Sequence, residues 1–229
     1  MPARSNDAGA APAMSFLEPG GVHVKICGIT SASDARMCLS AGADALGFNF
    51  FPGSARYIDP EESVPWIRDL GGEAARVAVV VNAPQELLQK IRDAGCFDFV
   101  QFHGDETPAI CGQAGFPRWI KAIRVSGPEV VGGALSFETP NILFDGWTAK
   151  AYGGTGRRLD WDLVRDFVSS HPDRRYLLAG GLDVRHVRQA IRIVRPHAVD
   201  VASGVERNPR SKDEYLVRQF ICEARNRRA

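Results

Sequence analysis

VHVKICGITS, residues 22–31, combines the pattern of a short buried strand with a turn that begins at Gly28. Apolar residues at nearly every position are typical of a strand that is covered on both faces, as in a parallel sheet. Such a sheet either closes into a barrel or stays open and doubly wound. The open form carries a G-x-G-x-x-G turn directly after its first strand. The turn here reads CGITS and lacks that spacing, so the sequence favours the barrel.

Seven more strand patterns follow, and helical patterns separate them. The predicted strands are Val22–Cys27, Ala45–Phe50, Arg76–Val81, Phe99–His103, Trp119–Arg124, Asn141–Asp145, Tyr176–Ala179 and Ala198–Ala202. The predicted helices lie around Ser33–Ser40, Pro60–Asp69, Pro84–Asp93, Glu106–Ala114, Pro128–Leu135, Trp161–Ser169, Val184–Val194 and Lys212–Ala224. Eight such units in 229 residues predict an α/β protein built as a single (β/α)8 barrel, the TIM-barrel architecture.

The N-terminal segment has a different composition from the rest of the chain. Residues 1–20 are rich in Ala, Gly, Pro and Ser and show no hydrophobic period. Segments of this kind bury too little apolar surface to fold. We therefore predict a disordered N-terminal leader over residues 1–20 and one barrel domain over residues 21–229.

Composition and charge exclude several classes of protein. A formal net charge of +1 gives no indication of a nucleic-acid partner, and no apolar run approaches the roughly 20 residues of a membrane span. The five cysteines are odd in number, widely spaced and without a C-x-x-C pair, which argues against a disulfide framework or a zinc site. We expect a reduced, cytoplasmic protein with no metal.

Functional residues of such a barrel lie at the C-terminal ends of its strands. The first strand ends with Lys25 and Cys27, which share a face because strand residues two apart point the same way. A neighbouring cation lowers the pKa of a thiol, so Cys27 is a candidate nucleophile or general base. The alternative is a cysteine of the core.

Three further strand ends carry polar side chains. Arg56 lies on a Pro/Gly-containing loop after the second strand and could bind an anion with its planar guanidinium, or be a solvated surface residue. His103 lies at the end of the fourth strand. It is a candidate acid, base or hydrogen-bond donor, or alternatively a structural histidine at the barrel mouth. Asp145 lies at the end of the apolar sixth strand. It is a candidate general acid, and the alternative is a residue that caps the next loop.

Glycine clusters follow each of the last three strands. Glycine lets backbone N–H groups approach an oxyanion closely, and phosphate sites of such barrels use the loops after strands seven and eight. Each cluster alone could be a tight turn, but the spacing of the set favours phosphate binding. The candidate phosphate-binding residues are Gly154, Thr155, Gly156, Gly180, Gly181, Ser203 and Gly204.

A set of short motifs runs in unbroken order from about residue 22 to the C-terminus. They occupy residues 24–30, 47–50, 54–58, 81–82, 100–106, 153–156, 159–161, 179–182, 199–206 and 212–213. Together they resemble the phosphoribosylanthranilate isomerases. No single motif is decisive, but the ordered set is highly specific.

The resemblance implies an Amadori rearrangement in tryptophan biosynthesis, without metal or organic cofactor. It implies Cys27 as general base, Asp145 as general acid and Arg56 as the contact of the substrate's anthranilate part. We assign Lys25 and His103 to substrate binding as well. The expected partner is a small-molecule phosphosugar, and the expected protein is a monomer or homodimer that binds neither nucleic acid nor membrane.

Three other functions remain open on the sequence. An aminoaldose isomerase of histidine biosynthesis would pair two aspartates, yet Cys27 stands where one of them is required. A pentulose-phosphate epimerase would need metal-binding histidines, and His23 and His103 alone do not supply them. A phosphosugar-binding barrel without turnover is the third reading, which Cys27 and Asp145 argue against but the fold does not exclude.

Overall fold

Eight parallel strands close into one barrel in chain order. The computed structural model describes residues 16–18, 20–71, 74–146 and 159–226. The barrel strands are β1 His23–Cys27, β2 Ala45–Asn49, β3 Ala75–Val80, β4 Phe99–Phe102, β5 Trp119–Val125, β6 Asn141–Gly146, β7 Arg175–Leu178 and β8 Ala198–Val201. The predicted closed barrel is confirmed, because β1 pairs with both β2 and β8.

Helices cover the outside of the barrel between the strands. They are α1 Ala32–Ser40, α2 Pro60–Arg68, α3 Gln85–Ala94, α4 Pro108–Gln113, α5 Pro128–Gly132, α6 Trp161–Ser170, α7 Val187–Val194 and α8 Glu214–Arg225. Their starts have local causes: Asp59, for example, accepts hydrogen bonds from the backbone N–H groups of Glu61 and Glu62, with Pro60 in the first turn. No helix within the described ranges is long and apolar enough to span a membrane.

Three helices begin later than the sequence predicted, each because a side chain organises the preceding turn. Asp183 accepts from the backbone N–H groups of Arg185 and His186, so α7 begins at Val187 rather than Val184. Glu106 and Lys212 were predicted to open helices. Both are instead buried in ion pairs, and their helices begin two residues further on.

The core has two layers, inside and outside the strands. Inward-facing side chains such as Val77, Leu143 and Leu177 fill the barrel, and Cys27 packs against this inner cluster. Outward-facing side chains such as Ile26 and Phe144 pack under the helices. The alternation of the two sets along each strand follows from the period of two. The polar residues buried within the strands, such as Lys25, Gln101 and Asp200, depart from this apolar pattern.

The N-terminal end of the barrel is covered by Phe16 and Leu17, each 2% exposed. The Phe16 ring meets Phe99 and His23 edge-on, at centroid distances of 5.7 and 5.9 Å. A disordered leader reaching residue 20 is therefore wrong for these two residues, because their apolar side chains close the barrel floor. The rest of the predicted leader, through residue 15, lies outside the described residues.

Replacing Phe16 tests whether this contact stabilises the barrel. We expect Phe16→Ala to lower the free energy of unfolding by about 3 kcal/mol, the usual cost of deleting a buried phenyl ring. Urea denaturation measures it. Ile110→Ala is the matched control, because Ile110 is half exposed and should change stability by no more than about 0.5 kcal/mol. Equal effects of the two substitutions on the free energy of unfolding would contradict a stabilising contact between Phe16 and the barrel.

Candidate active site

A pocket opens at the C-terminal mouth of the barrel, where the strand ends converge. It is lined by Cys27, Gly28, Asn49, Ser54, Arg56, Val79, Val81, His103, Asp145, Ala179, Gly180, Gly181, Leu182, Asp200, Val201, Ala202 and Ser203. Four of the side chains predicted for function, Cys27, Arg56, His103 and Asp145, therefore border one space. Among the described residues, no group of three or more His, Cys, Asp or Glu side chains is arranged to hold a metal ion.

The thiol of Cys27 stands at the end of β1 above a buried ion pair. Lys25 is fully buried, and its Nζ lies 2.8 Å from Oδ1 of Asp200. Lys25 is not among the residues that line the pocket, and its contact with substrate stays a prediction. The predicted lowering of the Cys27 pKa is wrong in net direction. Burial raises the pKa of this thiol, and Lys25 opposes only part of that rise.

Asp145 is held at the end of β6 by two hydrogen bonds. Its Oδ1 accepts from the backbone N–H of Gly146 at 2.8 Å, and its Oδ2 lies 3.1 Å from Nε2 of His103. The side-chain nitrogen of Gln101 lies 2.8 Å from His103 Nδ1. When the Gln101 side-chain amide donates to Nδ1 of His103, the proton of the neutral imidazole lies on Nε2 and points at Asp145. The imidazole thus fixes the carboxyl group toward the pocket.

Arg56 reaches the pocket from the loop after β2. Its Nε and Nη2 donate to the two carboxylate oxygens of Glu206 at 2.7 and 2.6 Å, a bidentate pair that fixes the plane of the guanidinium. The side chain crosses directly over Gly28, where φ is +72° and a Cβ atom would overlap the Arg56 stem. Gly28 is therefore needed both for the turn and for the path of Arg56.

Lys212 ties the same carboxylate to the ends of two strands. Its fully buried Nζ donates to Glu206 at 2.8 Å, to the carbonyl of Cys27 at 2.6 Å and to the carbonyl of Ala202 at 3.1 Å. The short hairpin of β9 Glu206–Asn208 and β10 Ser211–Lys212 carries both residues. Arg56 and Lys212 hold the pKa of Glu206 below its usual range, against the effect of burial.

Another part of the pocket lining is built from backbone. Gly180 and Gly181 follow β7 with φ of +86° and +70°, values that favour glycine. Ser203 begins a single 3-10 turn, Ser203–Val205, after β8. The α-carbon of Gly204 packs against the carbonyl of Leu182, so the two loops touch. The remaining predicted phosphate-binding residues, Gly154, Thr155 and Gly156, lie outside the described residues.

Comparisons with known proteins agree with this geometry. A family model described as N-(5'-phosphoribosyl)anthranilate (PRA) isomerase matches residues 24–223. The chain belongs to this family. An isomerase of that name from Geobacter sp. (strain M21) is 44% identical over 202 residues, which cover 88% of this chain and 97% of the relative.

Solved structures of the PRA isomerase family share the fold. The enzyme from Thermotoga maritima superposes with a TM-score of 0.80 at 39% identity, covering 89% of this chain and 98% of its own. Another, solved with reduced 1-(o-carboxyphenylamino)-1-deoxyribulose 5-phosphate, gives 0.77 at 38% identity, with coverage of 89% and 98%. A third is described as monomers generated from the dimeric Thermotoga maritima isomerase, with a TM-score of 0.77 at 37% identity and the same coverage.

Four residues that support the PRA isomerase site were not singled out in the sequence as site residues: Gln101, Asp200, Glu206 and Lys212. Asp200 and Gln101 are polar residues inside otherwise apolar strands. A polar side chain there must have a partner, which is a usable signal. Glu206 and Lys212 follow the last barrel strand, and nothing local in the sequence indicates that both turn back into the mouth.

Stability should depend on Glu206 and on pH in a linked way. Glu206→Gln leaves Arg56 and Lys212 without their carboxylate, and we expect a loss of about 3 kcal/mol in the free energy of unfolding at neutral pH. The folded pKa is lowered, so this stabilisation is present above the ordinary value of 4.5 and is lost as pH falls below it. The difference between wild type and variant should therefore shrink in acid.

Chemical denaturation across a pH series measures that difference. Glu214→Gln is the matched control, because the Glu214–Arg218 pair is solvent-exposed and should contribute no more than about 0.5 kcal/mol. A difference for Glu206→Gln that stays constant with pH would contradict the ion-pair account.

Proposed function

We propose that this chain converts N-(5-phospho-β-D-ribosyl)anthranilate into 1-(2-carboxyphenylamino)-1-deoxy-D-ribulose 5-phosphate, a step of L-tryptophan biosynthesis. The supporting observation is one pocket that presents a thiol from β1 and a carboxyl group from β6, with glycine turns between them after β7 and β8. An aldose-to-ketose rearrangement needs an acid and a base at different atoms of the sugar. Separate strands of a barrel can supply them.

The first step opens the sugar ring, and Asp145 is the acid. Electrons from the anthranilate nitrogen form a C=N bond while the bond from C1′ to the ring oxygen breaks. The oxygen takes the proton of the Asp145 carboxyl group and becomes a hydroxyl. His103 holds that carboxyl group toward the pocket through its 3.1 Å contact. The product of this step is a protonated imine, which draws electrons from C2′.

The second step removes the proton from C2′, and the thiolate of Cys27 is the base. The C2′–H electrons form the C1′=C2′ bond, and the C=N electrons return to nitrogen. The resulting enolamine tautomerises to the ketone when C1′ gains a proton and the C2′ hydroxyl loses one. Cys27 fits this role because its sulfur borders the pocket at the strand end, facing the space that the sugar carbons would occupy.

Two anionic groups of the substrate would be held by different parts of the pocket. Glu206 engages Nε and Nη2 of Arg56, and the guanidinium also carries Nη1, which we assign to the anthranilate carboxylate. The backbone N–H groups around Gly180, Gly181 and Ser203 are assigned to the phosphate, as are Gly154, Thr155, Gly156 and Gly204. This orientation places C1′ and C2′ between Cys27 and Asp145.

The biological setting remains a prediction in three respects. We propose a cytoplasmic enzyme, which agrees with five cysteines that form no disulfide. We propose a monomer or homodimer, since the Thermotoga maritima relative is described as dimeric. The substrate is a small phosphosugar, and no nucleic-acid or membrane partner is proposed.

Turnover is tested by the loss of anthranilate fluorescence when freshly generated phosphoribosylanthranilate meets the purified protein. We expect rapid loss with wild type. Cys27→Ser and Asp145→Asn should each slow it by about 10²–10⁴-fold, the range of a lost proton transfer. Asp145→Asn should bind product analogues within a few-fold of wild type, because the acid acts chiefly in the transition state. Cys222→Ser is the matched control, since Cys222 is exposed on α8.

The outcomes separate the function from the assignments. No fluorescence loss with folded wild type would contradict the isomerase reaction. Full activity of Cys27→Ser or Asp145→Asn would remove that residue from its role while leaving the reaction in place.

Arg56→Ala tests the carboxylate contact. A charged hydrogen bond contributes about 1.5–3 kcal/mol, so binding of a carboxylated product analogue should weaken by about 10- to 100-fold. An analogue without the carboxylate should lose much less. Arg185→Ala, a substitution of an exposed arginine outside the pocket, is the control and should change neither affinity. Calorimetric titration measures both affinities, and equal weakening of the two analogues would argue against this assignment.

A further inference from the structure

Asp200 lines the pocket and is paired with the buried Lys25, and the steps described above do not use this ion pair. The Lys25 side chain is 0% exposed to solvent, and the Asp200 side chain is 7% exposed. The two residues are paired in the register of β1 and β8. A charged pair removed from water costs free energy unless its geometry is favourable. Its position below Cys27 suggests a use beyond stability.

Gly47 on β2 shows how close the ammonium is to the thiol. A Cβ atom built on Gly47 would lie 2.8 Å from Cys27 Sγ and 3.0 Å from Lys25 Nζ. Both atoms therefore border the same point in the barrel, and Gly47 is the register partner of Cys27. Because Gly47 has no side chain, nothing from β2 separates the sulfur from the ammonium.

The cations near this point offset part of the effect of burial on the sulfur, although the pKa of Cys27 stays raised on balance. Burial raises the pKa of Cys27, and Lys25 is the strongest influence acting against it. The pKa of Lys25 is itself raised because Asp200 and Cys27 outweigh its burial, so the ammonium stays charged. Asp200 raises the Cys27 pKa and Lys212 lowers it, both less strongly than Lys25 does.

Other charged groups facing Cys27 are already engaged. Arg56 and Lys212 share the carboxylate of Glu206. His103 and Asp145, which line the same pocket, contact each other. Lys25 is engaged as well, by Asp200, and it differs in its position, because its Nζ and the sulfur border the point that a Gly47 side chain would occupy.

We propose that Lys25, anchored by Asp200, is a positioning residue that stabilises the thiolate of Cys27 as the base of the reaction. The inference deepens the proposed function and rests on it for the role of the thiolate. The thiol proton leaves through the open pocket to solvent, and Lys25 keeps its own three protons throughout. When Cys27 takes the proton from C2′, the sulfur becomes neutral, and the ammonium remains balanced by Asp200.

The test measures the thiolate directly by the rate at which iodoacetamide alkylates Cys27 across a pH series. Mass spectrometry of the Cys27 peptide separates it from the other four cysteines. The variant is Lys25→Met with Asp200→Asn, which removes the pair without leaving one buried charge alone. Gly47→Ala is a second variant that keeps both charges but places a methyl group between Sγ and Nζ.

The matched control removes another buried pair of the barrel. Lys121 and Glu106 are joined at 2.7 Å and are as buried as the first pair. Lys121→Met with Glu106→Gln should leave the Cys27 midpoint unchanged, although it also removes two buried charges. Circular dichroism and thermal melting of every variant establish that each is folded.

We expect the pH midpoint of Cys27 alkylation to rise in the Lys25/Asp200 variant. The rise should be smaller than the roughly 1–3 units of losing an adjacent opposite charge alone, because Asp200→Asn also removes an influence that raises this pKa. Gly47→Ala should raise it in the same direction. The ascending limb of kcat/KM against pH should move by the same amount, a readout that a purely structural role would not shift.

Unchanged midpoints in folded Lys25/Asp200 and Gly47→Ala proteins would overturn the proposal. A shift equal to that of the Lys121/Glu106 control would overturn it too. If the variants shift the midpoint but the wild-type protein does not turn over phosphoribosylanthranilate, the coupling of Lys25 to Cys27 is supported and the isomerase function is overturned. The two failures are thus distinguishable.

Discussion

The closure of β1 against β8 is the constraint on which the site depends. Parallel pairing sets Lys25 opposite Asp200 and joins residues that are 175 positions apart in the chain. Without that register, the charges on β1 and β8 would both be buried without partners. Closure also turns all eight strand ends toward one mouth, which is the reason that side chains from separate βα units can share a substrate.

Buried cations organise this mouth, and each is matched by a carboxylate. Lys25 pairs with Asp200, Lys121 with Glu106 and Lys212 with Glu206. Each lysine Nζ is a strong donor that is costly to bury alone, so each pair fixes the position of the strand end or loop that carries it. The mouth is therefore held by polar contacts, above an inner layer that is apolar apart from a few buried polar residues such as Lys25, Gln101 and Asp200.

The strands were predictable from the sequence and the supporting charges were not. All eight predicted strands match the observed ones to within one residue at each end, because a strand covered on both faces is marked by local apolarity. Strand parity also predicted that Lys25 and Cys27 share a face. The partner of Lys25 comes from the other end of the chain, so its burial, and the net rise in the Cys27 pKa, depended on contacts that local pattern does not contain.

Glu206 links the two halves of the proposed chemistry. It fixes the guanidinium of Arg56, and it holds Lys212, whose Nζ also binds the carbonyl of Cys27. The group assigned to the anthranilate carboxylate and the backbone of the proposed base therefore share one carboxylate. The proposed recognition of the anthranilate carboxylate and the proposed alignment of the thiolate therefore depend on one connected set of hydrogen bonds.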